Sequence, residues 1–178
     1  MRTFLKSPKP LDYSPSRFVA DCLDIVEIDS LSPLALDIPS GYGRHAVLLE
    51  RIGYQVICGD MDKSALRFCS SLDGHKLSTL QLDATRSLPF NDQIFDLVLA
   101  VHFVSSGFVR EICRVLKPGG YIIYETYGGQ GNNWATLQTR RDIYSEMGRS
   151  IETICFRTRP AGPTGEEKVS ARMFGVRH

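Results

Sequence analysis

The chain has 178 residues, of which 43% are hydrophobic and 23% are charged, a balance typical of one globular domain with a substantial core. Its 21 basic and 20 acidic residues give a net charge of +1, which argues against a general attraction to long nucleic acids. The five cysteines include no C-x-x-C pair, and about 18 consecutive apolar residues occur nowhere, so neither a metal site nor a membrane span is predicted. We expect one cytoplasmic domain over residues 1–178.

The amino-terminal 14 residues carry two prolines and three basic residues, which predicts an irregular lead-in rather than packed structure. A helix is then expected to begin near Ser14, because a serine can cap its free amides and Pro15 suits its first turn. Apolar residues recur at helical spacing from Phe18 to Val26, so one face of this helix should pack on a sheet.

From Leu34 onward, short apolar runs alternate with stretches of helical period, which is the pattern of a parallel sheet covered on both faces. We expect Pro118 and the two glycines after it to end a helix, so that the chain re-enters the sheet at Tyr121. The predicted strands cover 34–38, 54–58, 77–82, 94–101 and 121–125, and the predicted helices cover 44–51, 63–70, 107–116 and 134–147.

Two further strand-like runs, at 151–158 and 169–176, end the chain. The residues between them are too few for a crossover helix, so this pair should form an antiparallel hairpin. The sequence therefore predicts a Rossmann-like, doubly wound α/β fold with a mostly parallel sheet of seven strands and a carboxyl-terminal antiparallel hairpin.

Acidic residues follow the first three predicted strands. Asp37 precedes a turn that contains Gly41 and Gly43, Asp60 ends the second strand, and Asp83 ends the third. The carboxyl ends of parallel strands meet at one sheet edge, where such folds bind ligands, so these acids indicate a nucleoside pocket. The glycine turn alone also fits the fingerprint of dinucleotide-binding proteins.

In this order, the motifs resemble those of the class I S-adenosylmethionine-dependent methyltransferases. The resemblance covers residues 30 to 126, and the antiparallel hairpin is also expected of that family. The residues that carry it are Ala35-Leu36-Asp37 with Gly41 and Gly43, Gly53-Tyr54-Gln55-Val56 leading to Asp60, Asp83-Ala84, Leu88-Pro89-Phe90 with Phe95-Asp96-Leu97-Val98, and Val115-Leu116-Lys117-Pro118-Gly119-Gly120.

The resemblance implies that S-adenosylmethionine binds at the strand ends. Asp37 and the backbone from Gly41 to Gly43 would hold its methionine portion, Asp60 its ribose, and Asp83 with Ala84 its adenine. Pro39 departs from the family, which often has glycine there, and removes one amide donor. Structural alternatives are a helix cap for Asp37 and for Asp60, and a turn for Asp83.

On the acceptor side, the resemblance implies that the segments after the fourth and fifth strands face the transferred methyl group. His102 is the candidate catalytic residue, because an imidazole accepts a proton near neutral pH. Its alternative is a histidine bonded to backbone at a strand end. The candidate substrate-binding residues are Tyr124, Tyr127, Asn133 and Trp134, the last two in a segment rich in glycine and amides that suits a lid or a surface loop.

The sequence thus predicts an S-adenosylmethionine-dependent methyltransferase that acts on a small molecule. It has no Asn-Pro-Pro-aromatic segment after the fourth strand, which argues against enzymes that methylate amino groups of nucleic acids. It also has no Pro-Cys pair, which argues against cytosine-carbon methylation through a cysteine nucleophile. A non-catalytic module on the same fold and a nicotinamide-dependent oxidoreductase are the alternatives. The acid and the proline before the glycines weaken the second of these, and the oligomeric state is left open.

Overall fold

The computed structural model describes residues 14–72, 75–129, 140–161 and 168–178. Strands and helices alternate along these residues as the apolar periodicity predicts. The helices are α1 (Arg17–Leu23), α2 (Ala46–Arg51), α3 (Lys63–Ser70), α4 (Phe108–Val115) and α5 (Arg140–Met147), and the strands are β1 (Leu34–Asp37), β2 (Gln55–Asp60), β3 (Leu77–Gln81), β4 (Phe95–Val101), β5 (Leu116–Gly129), β6 (Ile151–Ala161) and β7 (Lys168–Arg177).

One sheet holds all seven strands in the order β3-β2-β1-β4-β5-β7-β6. The pairs from β3 to β5 are parallel, and β7 pairs with β5 and with β6 in antiparallel fashion. The predicted fold class and the terminal hairpin are therefore confirmed. The strand order reverses between β1 and β4, so the sheet opens a crevice at the carboxyl ends of these two strands.

Side chains alternate between the two faces of the sheet and form two apolar clusters. The first three helices cover one face, where Phe18 of α1 and Leu49 of α2 pack with Val56 and Leu99. The other two helices cover the opposite face, where Ile112 and Ile143 pack with Val98 and Tyr124 of the sheet, among others. No helix in the described ranges is both long enough and apolar enough to cross a membrane.

The start of β5 differs from the prediction. Helix α4 ends at Val115, and Leu116 pairs at once with Phe95 of β4, five residues before the predicted re-entry at Tyr121. The chain then makes a short excursion in which Gly119 has a φ of 78°, and parallel pairing resumes between Leu97 and Tyr121. The proline and the glycines thus build an irregularity within the strand instead of ending the helix.

The predicted helix over 134–147 is described only in part. Helix α5 covers Arg140–Met147, and residues 134–139 lie outside the described residues. All five cysteines are free thiols, four of them buried and Cys155 partly exposed.

Candidate functional site

The turn after β1 folds back over the ends of β1 and β2. The amide of Ser40 donates to the carbonyl of Gly59 at 2.9 Å, and the amide of Gly43 donates to the carbonyl of Ser40 at 3.0 Å. Gly43 has a φ of 78°, and a Cβ atom there would lie 2.8 Å from Sγ of Cys69. Only glycine therefore lets this turn pack so closely against α3. The peptide between Ile38 and Pro39 is cis.

Asp37 ends β1 and is fully buried. Among the described residues, neither of its carboxylate oxygens has a hydrogen-bond partner. Burial raises the pKa of Asp37 well above its ordinary value, and the backbone amide of Ala46 acts against this shift. The N-cap of α2 is His45, and no side-chain hydrogen bond caps that helix, so capping of α2 does not account for Asp37. Because buried polar groups are nearly always paired, this carboxyl suits a donor on a ligand.

Asp60 ends β2, and its side chain is hydrogen-bonded to the glycine turn. Its Oδ2 accepts a hydrogen bond from the amide of Gly41 at 2.7 Å, and its Oδ1 accepts one from the amide of Asp62 at 2.9 Å. The N-cap of α3 is Asp62, whose side chain accepts from the amides of Ser64 and Ala65 at 2.7 and 3.4 Å. The helix-cap alternative for Asp60 is therefore wrong, and its carboxylate lies at the crevice.

Asp83 follows the end of β3 by two residues and makes the turn that the structural alternative foresees. Its Oδ1 accepts hydrogen bonds from the amide and the hydroxyl of Thr85 at 2.9 and 2.6 Å, and Nε of Arg86 lies 3.3 Å from its Oδ2. The hydrogen bonds from Thr85 hold the pKa of Asp83 below its usual value. Ala84 beside it is buried. Since β1, β2 and β3 are adjacent and parallel, all three strand-end acids lie at one sheet edge.

His102 follows β4 directly. Its backbone has a φ of 61°, in the left-handed region, and its amide donates to the carbonyl of Glu125 at 2.7 Å. The residue keeps exposed surface, and desolvation of the part of its ring that is covered lowers the pKa of His102 below its ordinary value. Its imidazole is therefore neutral near pH 7 and able to take a proton.

Beside His102 lies a polar network that the sequence analysis missed. The buried carboxylate of Glu125, which is 4% exposed, accepts from the hydroxyl of Ser16 at 2.5 Å and from Nε of Arg172 at 2.7 Å. The amide of Ser16 donates to Nε2 of the buried His45 at 3.0 Å. The partners in these bonds are 109, 47 and 29 residues apart, so sequence spacing gave no signal for the network.

The structure describes only part of the predicted substrate-binding set. Tyr124 is fully buried, and its hydroxyl donates to the carbonyl of Phe103 at 2.9 Å. That placement supports the loop after β4 and leaves Tyr124 no exposed surface for an acceptor. The side chain of Tyr127 lies outside the described part of the chain, as do Asn133 and Trp134 entirely.

Residues 36–124 match the model of a protein family described as a methyltransferase domain. This stretch runs from the end of β1 into β5 and contains the three strand-end acids, the glycine turn and His102. The chain belongs to the methyltransferase domain family.

Named relatives agree with this assignment. The phthiotriol/phenolphthiotriol dimycocerosates methyltransferase 1 of Mycobacterium ulcerans (strain Agy99) is 35% identical over 101 residues, which are 50% of this chain and 35% of that protein. The match thus spans about a third of the relative's length.

Two solved structures share the methyltransferase domain's fold. Geranyl diphosphate C-methyltransferase from Streptomyces coelicolor A3(2), in complex with Mg²⁺, geranyl diphosphate and S-adenosyl-L-homocysteine, has a TM-score of 0.72 at 12% identity, covering 90% of this chain and 76% of that one. A SAM-dependent methyltransferase from Methanosarcina mazei has a TM-score of 0.66 at 17% identity, covering 92% and 98%. At these identities the likeness concerns the fold alone.

Proposed function

We propose that this single domain is a cytoplasmic S-adenosylmethionine-dependent methyltransferase that acts on a small molecule. The observation that carries the proposal is the carboxyl of Asp37, which is fully buried at the crevice edge and has no hydrogen-bond partner among the described residues. Family membership supports the same function. The relative named a phthiotriol/phenolphthiotriol dimycocerosates methyltransferase, of which 35% is matched, supports a small-molecule acceptor.

The polar groups at the crevice fit the cofactor in both sign and position. Asp37 suits the cationic amino group of the methionine portion, and the turn around Gly43 gives its chain room to approach the backbone. Asp60 carries acceptors for the ribose hydroxyls, next to the amide of Gly41 that it already binds. Asp83 can accept from the exocyclic amine of adenine, with the backbone amide of Ala84 as the donor beside it.

The chemistry asks little of the protein beyond alignment. When bound, S-adenosylmethionine supplies a methyl carbon on a positively charged sulfur; an acceptor lone pair forms the new bond to carbon, and the carbon–sulfur electrons stay on sulfur. The chain must therefore orient the acceptor, exclude water and, where needed, take the acceptor's proton. His102, neutral and at the end of β4, is the candidate for holding that proton on its imidazole.

Two measurements test this function. Calorimetric titration with S-adenosylmethionine and with S-adenosylhomocysteine should give saturable binding, whereas a nicotinamide dinucleotide should give none. A screen of metabolites should then find an acceptor whose addition generates S-adenosylhomocysteine. Binding of the nicotinamide dinucleotide alone would overturn the proposal in favour of an oxidoreductase. Binding of S-adenosylmethionine without turnover on any acceptor would favour the non-catalytic module.

A further inference from the structure

Three segments that are far apart in the sequence meet at the side chain and carbonyl of Glu125 in β5. The residue before α1, Ser16, donates its hydroxyl to Oε2 at 2.5 Å, and Arg172 of β7 donates to Oε1 at 2.7 Å. The carbonyl of the same residue accepts the amide of His102 at 2.7 Å. Glu125 is nevertheless only 4% exposed, at the last residue of β5 that pairs with β4. A carboxylate so buried carries a desolvation cost, which apolar packing would avoid.

We propose that Glu125 is a positioning residue for methyl transfer: its carbonyl fixes the backbone of His102, and its carboxylate holds Ser16 and Arg172 beside that imidazole. The inference rests on the proposed function, because it acts through His102. It extends that function by adding a second residue to the acceptor side and by explaining why that residue is charged.

The backbone part of this role follows from the strand register. Val101 of β4 pairs with Glu125 of β5, and the next residue, His102, adopts a φ of 61° while its amide still reaches the Glu125 carbonyl. A histidine in the left-handed region turns its side chain away from the line of the strand, and such conformations persist only where surrounding contacts enforce them. The bond from β5 is one such contact.

The hydrogen bonds of the Glu125 side chain connect the acceptor side to the glycine turn after β1. Ser16 uses both its hydrogen-bond donors, since its hydroxyl donates to Glu125 and its amide donates to Nε2 of His45 at 3.0 Å. His45 lies two residues after Gly43 of the glycine turn and is 3% exposed. Burial lowers the pKa of His45 to about 3, so its ring is neutral and keeps its acceptor nitrogen at physiological pH. Ser16 therefore links His45, after the glycine turn, to Glu125 of β5.

The same carboxylate counterbalances the positive charges around His102. Partial burial lowers the pKa of His102; Glu125 acts against this, whereas Arg44 before α2 and Arg172 of β7 act with it. His45 also faces His102 and is uncharged near neutral pH. Among the described residues, Glu125 is thus the acid that favours a proton on His102. Removing the charge of Glu125 and removing that of Arg172 should therefore shift the pKa of His102 in opposite directions.

The test is an NMR titration of the His102 ring in the full chain with S-adenosylhomocysteine present. Glu125→Gln keeps the shape and removes the charge, so the pKa of His102 should fall by on the order of 0.5 unit. Arg172→Met should raise it by a similar amount, and the double variant should return it close to the wild-type value. The matched control is Glu152→Gln, an acid-to-amide change at an exposed side chain of β6, which should leave it unchanged.

Kinetics then separate positioning from mere structure. A neutral His102 is the reactive form, so single-turnover methyl transfer should rise with pH through its pKa; Glu125→Gln should move this rise to lower pH, and Arg172→Met should move it to higher pH. Ser16→Ala should lower the rate while cofactor affinity stays within about twofold, or ~0.4 kcal/mol.

The outcomes distinguish the two proposals. A His102 pKa that stays within about 0.1 unit in every variant that folds would overturn the role of Glu125, even if the wild type transfers methyl groups. If Glu125→Gln does not fold, Arg172→Met and Ser16→Ala decide the question. Failure of the wild type to bind S-adenosylmethionine would overturn the proposed function instead.

Discussion

The two halves of the crevice each bury an acidic side chain, but only one of the two acids is hydrogen-bonded within the described part of the chain. At the end of β1, the buried carboxyl of Asp37 has no hydrogen-bond partner among the described residues. In β5, at the last residue that pairs with β4, the buried Glu125 is paired with Ser16 and Arg172. A buried group without a partner suits a ligand that supplies one, whereas a group paired within the chain orients its neighbours. The comparison therefore supports the two proposals, cofactor binding at the first half and positioning at the second.

The largest expected effect is a loss of stability when Glu125, the acid that is paired within the chain, is replaced. Glu125→Ala leaves Arg172 without its carboxylate in a largely buried position, so the free energy of unfolding should fall by about 3 kcal/mol. This is the lower end of the range for buried pairs, because 23% of the Arg172 side chain is exposed. Chemical denaturation measures the change. Glu152→Ala, at an exposed acid, is the control and should change stability by less than about 0.5 kcal/mol. Equal losses in both variants would contradict the comparison.

His102→Ala should separate rate from binding. If His102 takes the acceptor's proton, single-turnover transfer should slow by about 100-fold, or ~2.7 kcal/mol of barrier, while cofactor affinity stays nearly intact. A structural histidine would instead lower the melting temperature, and the remaining activity would follow the folded fraction. A rate within about twofold of wild type would exclude the catalytic role and direct attention to Glu125 and Tyr127.

Asp60→Ala should weaken cofactor binding by about 1.5 to 3 kcal/mol, which is tenfold or more in Kd. The loss combines the missing acceptor for the ribose with a glycine turn that no longer has its bond from Gly41 to Asp60. Calorimetry on the folded variant measures it. Asp62→Ala serves as the control, because it removes the N-cap of α3 without touching the pocket; it should cost stability but little affinity. Unchanged affinity in Asp60→Ala would refute this assignment of the pocket.

The smallest expected effect is a gain in stability, and it concerns Asp37. The folded-state pKa of Asp37 is raised, so above about pH 4 the unfolded chain binds fewer protons than the folded chain. Asp37 therefore destabilises the fold, and this destabilisation increases as pH rises through the folded-state pKa. Asp37→Asn should therefore raise the free energy of unfolding at pH 7 by about 1 kcal/mol while it weakens cofactor binding. Denaturation at pH 5 and pH 8 checks both size and sign. Destabilisation at pH 8 would mean that Asp37 has a partner within the chain.

The sequence predicts where the strand-end acids and the glycine turn lie, because each depends on its own local stretch of chain. Each acid follows its own strand, the glycine turn lies within six residues of Asp37, and α3 covers Lys63–Ser70 as its periodicity predicts. The paired half depends on contacts between distant segments. Ser16 and Glu125 are 109 residues apart, and no spacing rule links them. The early start of β5 was missed for a similar reason, since the pairing of Leu116 with Phe95 depends on the neighbouring strand.

The most direct test of the central claim is a crystal structure of the chain with S-adenosylhomocysteine. We expect the amino group of the ligand within about 2.7 to 3.2 Å of the Asp37 carboxylate, the ribose hydroxyls at Asp60, and the adenine beside Asp83 and Ala84. The network around Glu125 should keep its present bonds, because its members are already paired. A ligand bound elsewhere, or one that leaves the Asp37 carboxylate without a partner, would contradict the account.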